Sequence, residues 1–282
     1  MSIEKNMSIA DQKFVEMCQD IIQNGYSSKG QNVRPHWEDG TPAHTMKRFG
    51  MIHRYNLSEE FPILTLRPTN LSAAIDEILW IWQKKSNNTE DLNSKIWDAW
   101  TDENHTIGKA YGYQLGREID FPEGKMDQVD WLLLTLKESK YSRRMVTNIF
   151  NHDDLKEMGL QPCAWSITLN VTGDTLNMIL NQRSQDILVA NNWNVCQYAI
   201  LLYMFAQCSG LVAGELVHVI ADAHIYDRHI PLVEELITRA QYPAPKLQIN
   251  PEKRNFYDFC VDDFVLIDYK AGKQIKKIPV AV

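Results

Sequence analysis

Apolar residues at three- and four-residue spacing mark the first element of the chain. Phe14, Met17, Cys18, Ile21 and Ile22 share one face, and Gly25 stands where a helix would stop. From Gly25 to Thr45 the pattern dissolves into Gly, Ser, Pro and Asn, an irregular segment able to present Arg34 to a ligand. Met46 to Tyr55 then predicts a strand. Leu71 to Trp82 (LSAAIDEILWIW) places Ala74, Ile75, Ile78, Leu79 and Trp82 at helical spacing, with Glu77 enclosed by them. A helix that apolar is expected to be buried. Trp97 and Trp100 follow a polar turn, and Gln128 to Leu136 predicts a further helix.

At Trp165 the period falls to two. Trp165, Ile167, Leu169 and Val171 alternate with Ser166, Thr168 and Asn170, and Thr172-Gly173-Asp174 supplies a turn before Leu176, Met178 and Leu180. This predicts a hairpin of two long strands. Asn194 to Cys208 reads as a core helix ended by Gly210, and Glu215 to Asp222 as a strand. Hairpin pairing in place of regular βαβ alternation predicts an α+β fold, with a mainly antiparallel or mixed sheet flanked by helices. No repeat, low-complexity tract or linker divides the chain, so residues 1–282 read as one domain.

Composition removes several function classes. The chain is 44% hydrophobic, enough for a substantial core. Its longest apolar run, Tyr198 to Ala206, falls short of the roughly 18 to 20 residues of a membrane helix. The opening MSIEKNMSIADQKF lacks the apolar stretch of a secretory signal, which predicts a cytoplasmic protein. A net charge of −7 disfavours a general nucleic-acid binder but leaves room for a small anion held by local arginines. Cys18, Cys163, Cys196, Cys208 and Cys260 show no metal-ligand spacing, so neither a disulfide framework nor a zinc site is expected.

The candidate chemistry is modest residue by residue. Cys163, in Gln161-Pro162-Cys163, reads locally as a small core hydrophobe. As a nucleophile it would need a neighbouring cation to lower its pKa, and Arg183 on the second hairpin strand is placed to supply one. Arg34, Arg143-Arg144 and Arg183-Ser184 suit phosphate oxygens, although each alone reads as a solvated charge. Glu77 in an apolar helix must be paired, hydrogen-bonded or protonated, and a raised pKa would suit proton transfer. Asn194 could simply cap its helix, and His224 and Tyr226 could be a structural pair on one face of an extended segment.

The order of these pieces resembles the thymidylate synthases. QPCAW resembles the family's nucleophile segment, QRSQD its phosphate- and folate-contacting segment, NNWNVCQYA its uracil-reading helix start, and DAHIYDRH its sugar-binding strand end. SRRM resembles the paired arginines that reach across a dimer to the neighbour's phosphate. DEILWIW and IWDAW resemble the glutamate helix and tryptophan segment, and Pro279-Val280-Ala281-Val282 resembles the tail that closes over folate.

The resemblance implies reductive methylation of dUMP to dTMP, with 5,10-methylenetetrahydrofolate as carbon donor and reductant. Cys163 would attack carbon 6 of the pyrimidine and turn carbon 5 into an enolate nucleophile. Arg34, Arg183, Ser184 and the partner's Arg143 and Arg144 would hold the phosphate. Asn194 would read the uracil edge through O4 and N3, His224 and Tyr226 the 3′-hydroxyl, and Asp186 would contact the pterin as well as belong to the dUMP site. Glu77 would organise proton transfers near O4, with Tyr111 by the carbon 5 proton. Trp97, Trp100, Asp186, Val189, Ala190, Trp193 and Ala281 would line the folate site. No metal, flavin or nicotinamide is implied, and no obligatory nucleic acid. A homodimer is implied, with a sheet face at its interface. The alternatives are a hydroxymethylase of the same superfamily, acting on dUMP or dCMP and letting water trap the methylene, and a non-catalytic nucleotide- or RNA-binding relative.

Three positions depart from the family pattern. Ala164 stands where histidine often follows the nucleophile, and Val189-Ala190-Asn191-Asn192-Trp193-Asn194 replaces the usual Leu-Gly-x-Pro-Phe-Asn. Arg67 stands where a lysine often contacts the folate tail.

Overall fold

In the computed structural model, which describes residues 8–282, α1 (Ile9–Asn24) opens the chain. The expected lack of a secretory leader rests partly on residues 1–7, which lie outside the described residues. Phe14, Met17, Cys18 and Ile21 turn inward, as their spacing requires, into a cluster with Leu64, Leu66, Ile220 and Val233. Gly25 ends α1 with extended backbone rather than a left-handed turn: its N–H donates to Ile21 O at 2.9 Å. A Cβ there would come within 2.2 Å of that same oxygen, so glycine is required by close approach.

The irregular stretch holds only β1 (Tyr26–Ser27), which adds to the edge of β2 (Thr45–Asn56). Next comes α2 (Leu71–Trp82), started by Asn70, whose side chain accepts the Ala73 N–H at 3.2 Å. Every residue from Ala74 to Trp82 is buried, as its continuous apolar character demands. A single turn, α3 (Gly112–Leu115), and a small hairpin of β3 (Ile119–Phe121) and β4 (Gly124–Met126) precede α4 (Gln128–Glu138).

The predicted hairpin is present as β5 (Ala164–Thr172) and β6 (Thr175–Asp186), turned at Gly173 with φ +62°. The chain then enters α5 (Asn191–Cys208), leaves it through Gly210 at φ +66°, and returns as β7 (Val212–Tyr226). Strand β7 lies parallel to β6, so β6, α5 and β7 form a crossover unit. Hairpin-like antiparallel pairing holds for β1 with β2, β2 with β7 and β5 with β6, but this join is βαβ. A parallel neighbour cannot be reached through a tight turn, and α5 is the connection that reaches it. Finally, α6 (Ile230–Leu236) is followed by the hairpin of β8 (Lys246–Ile249) and β9 (Phe264–Ile267).

The main sheet has the order β1-β2-β7-β6-β5, a mixed sheet flanked by helices, as the α+β reading predicts. Helix α5 packs along β6 and β7 on one face, with Val195, Cys196, Ala199 to Leu202 and Met204 to Ala206 all buried. On the sheet Arg54, Val217, Ile179, Thr168 and Val146 align across β2, β7, β6, β5 and the segment beside β5. Val217 in this strip is buried, but its flanks are open within the chain: Ile52 next to it is 59% exposed, and Val146 and Ile179 are 44% and 40% exposed. Among the described residues no helix is long and apolar enough to cross a membrane.

Candidate active site

Cys163 sits immediately before β5, and the hairpin register brings Arg183 of β6 against it. The Arg183 N–H donates to Cys163 O at 2.9 Å, and Nη2 lies 3.8 Å from Cys163 Sγ. Two further bonds fix the guanidinium: Nε donates to Pro162 O at 3.0 Å and Nη2 to Gln161 O at 2.7 Å. The Tyr111 hydroxyl accepts the Cys163 N–H at 3.0 Å. Tyr111 itself has φ +45° and ψ −105°, a backbone conformation that costs on the order of 1–3 kcal/mol and tends to persist where a site imposes it.

Burial pushes the Cys163 thiol up, while Arg183, the Tyr111 hydroxyl and Arg34 pull it down. The net direction is up. The cation expected from the sequence is therefore in place, but within this chain it does not overcome desolvation.

Glu77 is buried on α2 and carries three N–H donors. Trp97 Nε1 donates to Oε1 at 2.8 Å, while Trp193 Nε1 and Gln197 Nε2 donate to Oε2 at 2.5 and 2.8 Å. Burial raises its pKa, the three donors lower it, and the net shift is upward. The requirement that a carboxylate in this helix be satisfied is met by hydrogen bonds, not by a cation. Trp193, expected in the folate lining, is thus tied to Glu77.

Asn194 does not cap its helix. Because α5 begins at Asn191, Asn194 lies within the first turn, and its side chain joins a chain of amides. Gln182 and Gln185 donate to Asn194 Oδ1 at 3.0 and 3.3 Å, and Asn194 Nδ2 donates to Gln197 Oε1 at 3.0 Å. Through Gln197 the asparagine is connected to Glu77 by two hydrogen bonds in series. Sequence reasoning passed over all three glutamines. Gln197 had a usable signal, since it follows Asn194 by three residues and so shares its helix face.

Asp186, at the end of β6, is the register partner of His224 on β7, and Ser184 is the partner of Asp222. His224 Nδ1 is 2.9 Å from Asp222 Oδ1, and its ring meets Tyr226 edge-on at 5.1 Å. Tyr226 is pushed up to about 12, mainly by burial and then by Asp186; Arg34 opposes and Cys163 adds to the rise. Arg34 is exposed on the loop before β2, yet its charge acts on both Cys163 and Tyr226. The structure thus gathers Cys163, Arg183, Tyr111, Arg34 and Tyr226 electrostatically, and wires Glu77, Trp97, Trp193 and Asn194 by hydrogen bonds.

Other predicted positions stand further out. Arg143 and Arg144 are exposed and make no ion pair among the described residues. They lead into a segment hydrogen-bonded along β5, through Thr147 N–H to Ile167 O and Leu169 N–H to Met145 O. Trp100 packs edge-on against Trp97 at 5.8 Å. Val189 is 43% exposed, and Ala190 is partly buried just before α5. Ala281 lies in a tail whose last residue pairs with His36: the His36 N–H donates to Val282 O at 2.9 Å, and the Val282 N–H to His36 O at 3.1 Å.

The geometry also accounts for two departures. Asn192 accepts the Leu64 N–H at 3.0 Å and the Thr69 hydroxyl at 2.8 Å, and donates to Pro62 O at 2.9 Å. It brackets the loop before α2 to the start of α5. Arg67 donates to Leu188 O and Gln274 Oε1, bracing the segment after β6 against the tail region. Among the described residues no group of three or more His, Cys, Asp or Glu could hold a metal ion.

The family model described as thymidylate synthase matches residues 12–282. The chain belongs to the thymidylate synthase family. Thymidylate synthase from Bacillus licheniformis is 46% identical over 274 residues, which cover 95% of this chain and 98% of that protein. Thymidylate synthase 1 of Bacillus subtilis (strain 168) and the thymidylate synthase of Bacillus phage phi3T are each 43% identical over the same shares. The solved structure of the thermostable thymidylate synthase A from Bacillus subtilis superposes with a TM-score of 0.92 at 43% identity. It covers 96% of this chain and 99% of that one. Members of this family use a folate as co-substrate, and the amide network around Glu77 and Asn194 lies on this thymidylate synthase fold beside the cysteine.

Proposed function

We propose that this chain catalyses the reductive methylation of dUMP to dTMP with 5,10-methylenetetrahydrofolate, releasing dihydrofolate. The observation that carries the reading is the Cys163 thiol beside Arg183, on the strand pair that also presents Ser184 and Asp186. Cys163 adds to carbon 6 of the uracil, which makes carbon 5 nucleophilic toward the folate-borne methylene. Because the thiol is raised in the free chain, its proton has to leave as the bond forms or after further cations arrive with the partner. Arg34, Arg183 and Ser184 hold the phosphate, together with the partner's Arg143 and Arg144. Arg183 serves both the phosphate and the sulfur, a reading supported by its guanidinium being anchored on Pro162 O and Gln161 O with Nη2 3.8 Å from Sγ.

Asn194 reads the pyrimidine edge, with its amide pre-oriented by Gln182, Gln185 and Gln197. Stabilising charge that develops at O4 falls to this side of the site, where Glu77 connects through Gln197. Tyr111 stands at the carbon 5 proton, and His224 and Tyr226 take the 3′-hydroxyl. Asp186, Trp97, Trp100, Val189, Ala190 and Ala281 form the folate side. Trp193 acts there through Glu77. The folate supplies both the carbon and the hydride, so no nicotinamide, flavin or metal has a step to perform. The tail closes the site so that water does not trap the exocyclic methylene.

The assembly follows from the same reading. Arg143 and Arg144 complete the neighbouring site in a homodimer built on the sheet strip of Ile52, Ile179 and Val146, whose apolar exposure is what an interface would cover. Residues 1–282 act as one domain in the cytoplasm, on small-molecule substrates and without obligatory nucleic acid.

The test is incubation with dUMP and methylenetetrahydrofolate, following dihydrofolate by absorbance and the nucleotide by mass, beside Cys163→Ser. Equal amounts of dTMP and dihydrofolate, abolished in the variant, are the expected result. Hydroxymethyl-dUMP without dihydrofolate, or dUMP binding without turnover, would overturn the reading.

A further inference from the structure

His229 ends the motif DAHIYDRH but has no place in the scheme above. It is only 1% exposed, set between the rings of Trp37 and Tyr226 at 5.6 Å each, both edge-on. Its Nε2 lies 2.8 Å from Pro279 O, the first residue of the C-terminal tail. On the other side Nδ1 lies 3.7 Å from Asp186 Oδ1, an ion-pair contact rather than a hydrogen bond. That same oxygen accepts the Val189 N–H at 3.1 Å. One imidazole therefore touches both the carboxylate on the folate side and the tail that covers it.

We infer that His229 is a positioning residue that couples the C-terminal tail to Asp186, holding the Pro279 carbonyl with one ring nitrogen and facing the Asp186 carboxylate with the other. The inference rests on the proposed folate roles of Asp186 and the tail. Both partners are acceptors, and a neutral imidazole carries one N–H, so it serves only one of them at a time. The imidazolium carries an N–H on each nitrogen, so it donates to the Pro279 carbonyl while presenting a positive charge to the Asp186 carboxylate 3.7 Å away.

The surroundings favour that cation. Facing or flanking the ring are Asp186 at the end of β6, Tyr226 on β7 and Asp227 just after it. Arg228 stacks over Trp37 at 5.0 Å and is paired with Asp39 at 2.7 Å. Arg34 lies on the loop carrying Trp37, and Lys276 and Lys277 precede Pro279 in the tail. Burial alone would lower the pKa of His229, but Asp186, the Pro279 carbonyl and Asp227 outweigh it and the net shift is upward. Folate affinity is therefore expected to weaken as pH rises through the raised pKa of His229.

The decisive comparison is the unmodified enzyme against His229→Gln, whose amide can donate to Pro279 but cannot become charged. In the unmodified enzyme the KM for methylenetetrahydrofolate should climb as pH rises above the ordinary histidine value of about 6.5. In His229→Gln that KM should be raised about tenfold at neutral pH and be flat across the range, as expected when one interaction is lost. The dUMP dissociation constant, measured without folate, should be unchanged. A chain ending at Ile278 removes the Pro279 partner without touching the core, and its folate affinity, read by fluorescence titration, should lose the same pH slope. If the unmodified enzyme does not convert dUMP to dTMP, the proposed function has failed rather than this inference. If it does, and His229→Gln keeps the original folate KM and slope, or loses dUMP affinity in parallel, the coupling is refuted. Should His229→Gln not fold, a pH slope that survives in the shortened chain refutes it.

Discussion

Replacing Glu77 by glutamine isolates the role of the one carboxylate buried among indoles. The substitution keeps size and shape, so its cost follows from the donors. Oε1 accepts from Trp97, and Oε2 accepts from Trp193 and Gln197. A glutamine amide has one acceptor oxygen, and it fits best with that oxygen toward Trp193 and Gln197 and its nitrogen toward Trp97. The Trp97 N–H then faces another donor and loses its acceptor, and the bonds from Trp193 and Gln197 lose their charge assistance, a cost of about 1.5–3 kcal/mol that is offset in part because no charge is buried any longer. We expect a melting temperature lower by only a few degrees. Catalysis should suffer far more: a positioned proton-transfer group contributes roughly 10²- to 10⁴-fold, so kcat should fall within that range. The dUMP dissociation constant should stay within about threefold, since the phosphate groups are untouched. Dihydrofolate absorbance gives kcat, tritium release from carbon 5 of dUMP reports the proton step, and thermal denaturation reports the fold. A Glu77→Gln enzyme that keeps kcat near the original value, with the fold intact, refutes a proton-transfer role. Loss of dUMP binding would instead make Glu77 a structural group.

Three further outcomes are expected. His53 and His218 face each other across β2 and β7 and are pushed down to about 4 and about 3, mainly by burial; His53 Nε2 and His218 Nδ1 have no hydrogen-bond partner. Their folded pKa values lie below the unfolded value, so stability is lost as pH falls below about 6.5, amounting to about 2 kcal/mol per histidine at pH 5. Urea unfolding at pH 7 and pH 5 checks this, and equal midpoints would refute it. Mixing inactive Cys163→Ala chains with inactive Arg143→Ala/Arg144→Ala chains, followed by subunit exchange, should restore up to about a quarter of the original activity, because random pairing gives one complete site in half the dimers. No recovery would place those arginines in their own subunit's site or in none. Gly25→Ala should destabilise by about 1–3 kcal/mol, because its Cβ would press on Ile21 O at 2.2 Å; an unchanged denaturation midpoint would refute that account.

Elements whose pattern is local were legible in the sequence. Glu77 sits on α2, whose span Leu71–Trp82 coincides with the apolar run, and the β5–β6 hairpin was legible from its alternation and from Gly173. The parallel join of β6 to β7 was not, because α5 is apolar all round and its periodicity does not say on which strand it returns. The start of α5 was placed three residues late for a related reason. Asn191, Asn192 and Trp193 look like loop residues, yet they enter the helix because Asn192 finds its partners on the distant segment Pro62 to Thr69. Residues of α3, β3 and β4 lack any strong period, and tertiary contacts alone define them.

The candidate active site divides along the same line. The residue types of the Cys163–Arg183 pair were readable, since a hairpin register places an arginine of β6 beside the residue preceding β5. The sign of the thiol's shift was not readable, because it depends on how much water the folded chain excludes, and here desolvation exceeds the pull of Arg183, Tyr111 and Arg34. Glu77 shows the converse. Its need for partners was predictable from its apolar surroundings, but their identity was not, because Trp97, Trp193 and Gln197 come from two separate stretches of sequence. A buried carboxylate satisfied by neutral donors keeps its raised pKa, whereas one paired with arginine would be held ionised. Under the proposed function, the choice of indoles and an amide over a guanidinium at this position is what suits Glu77 to proton exchange.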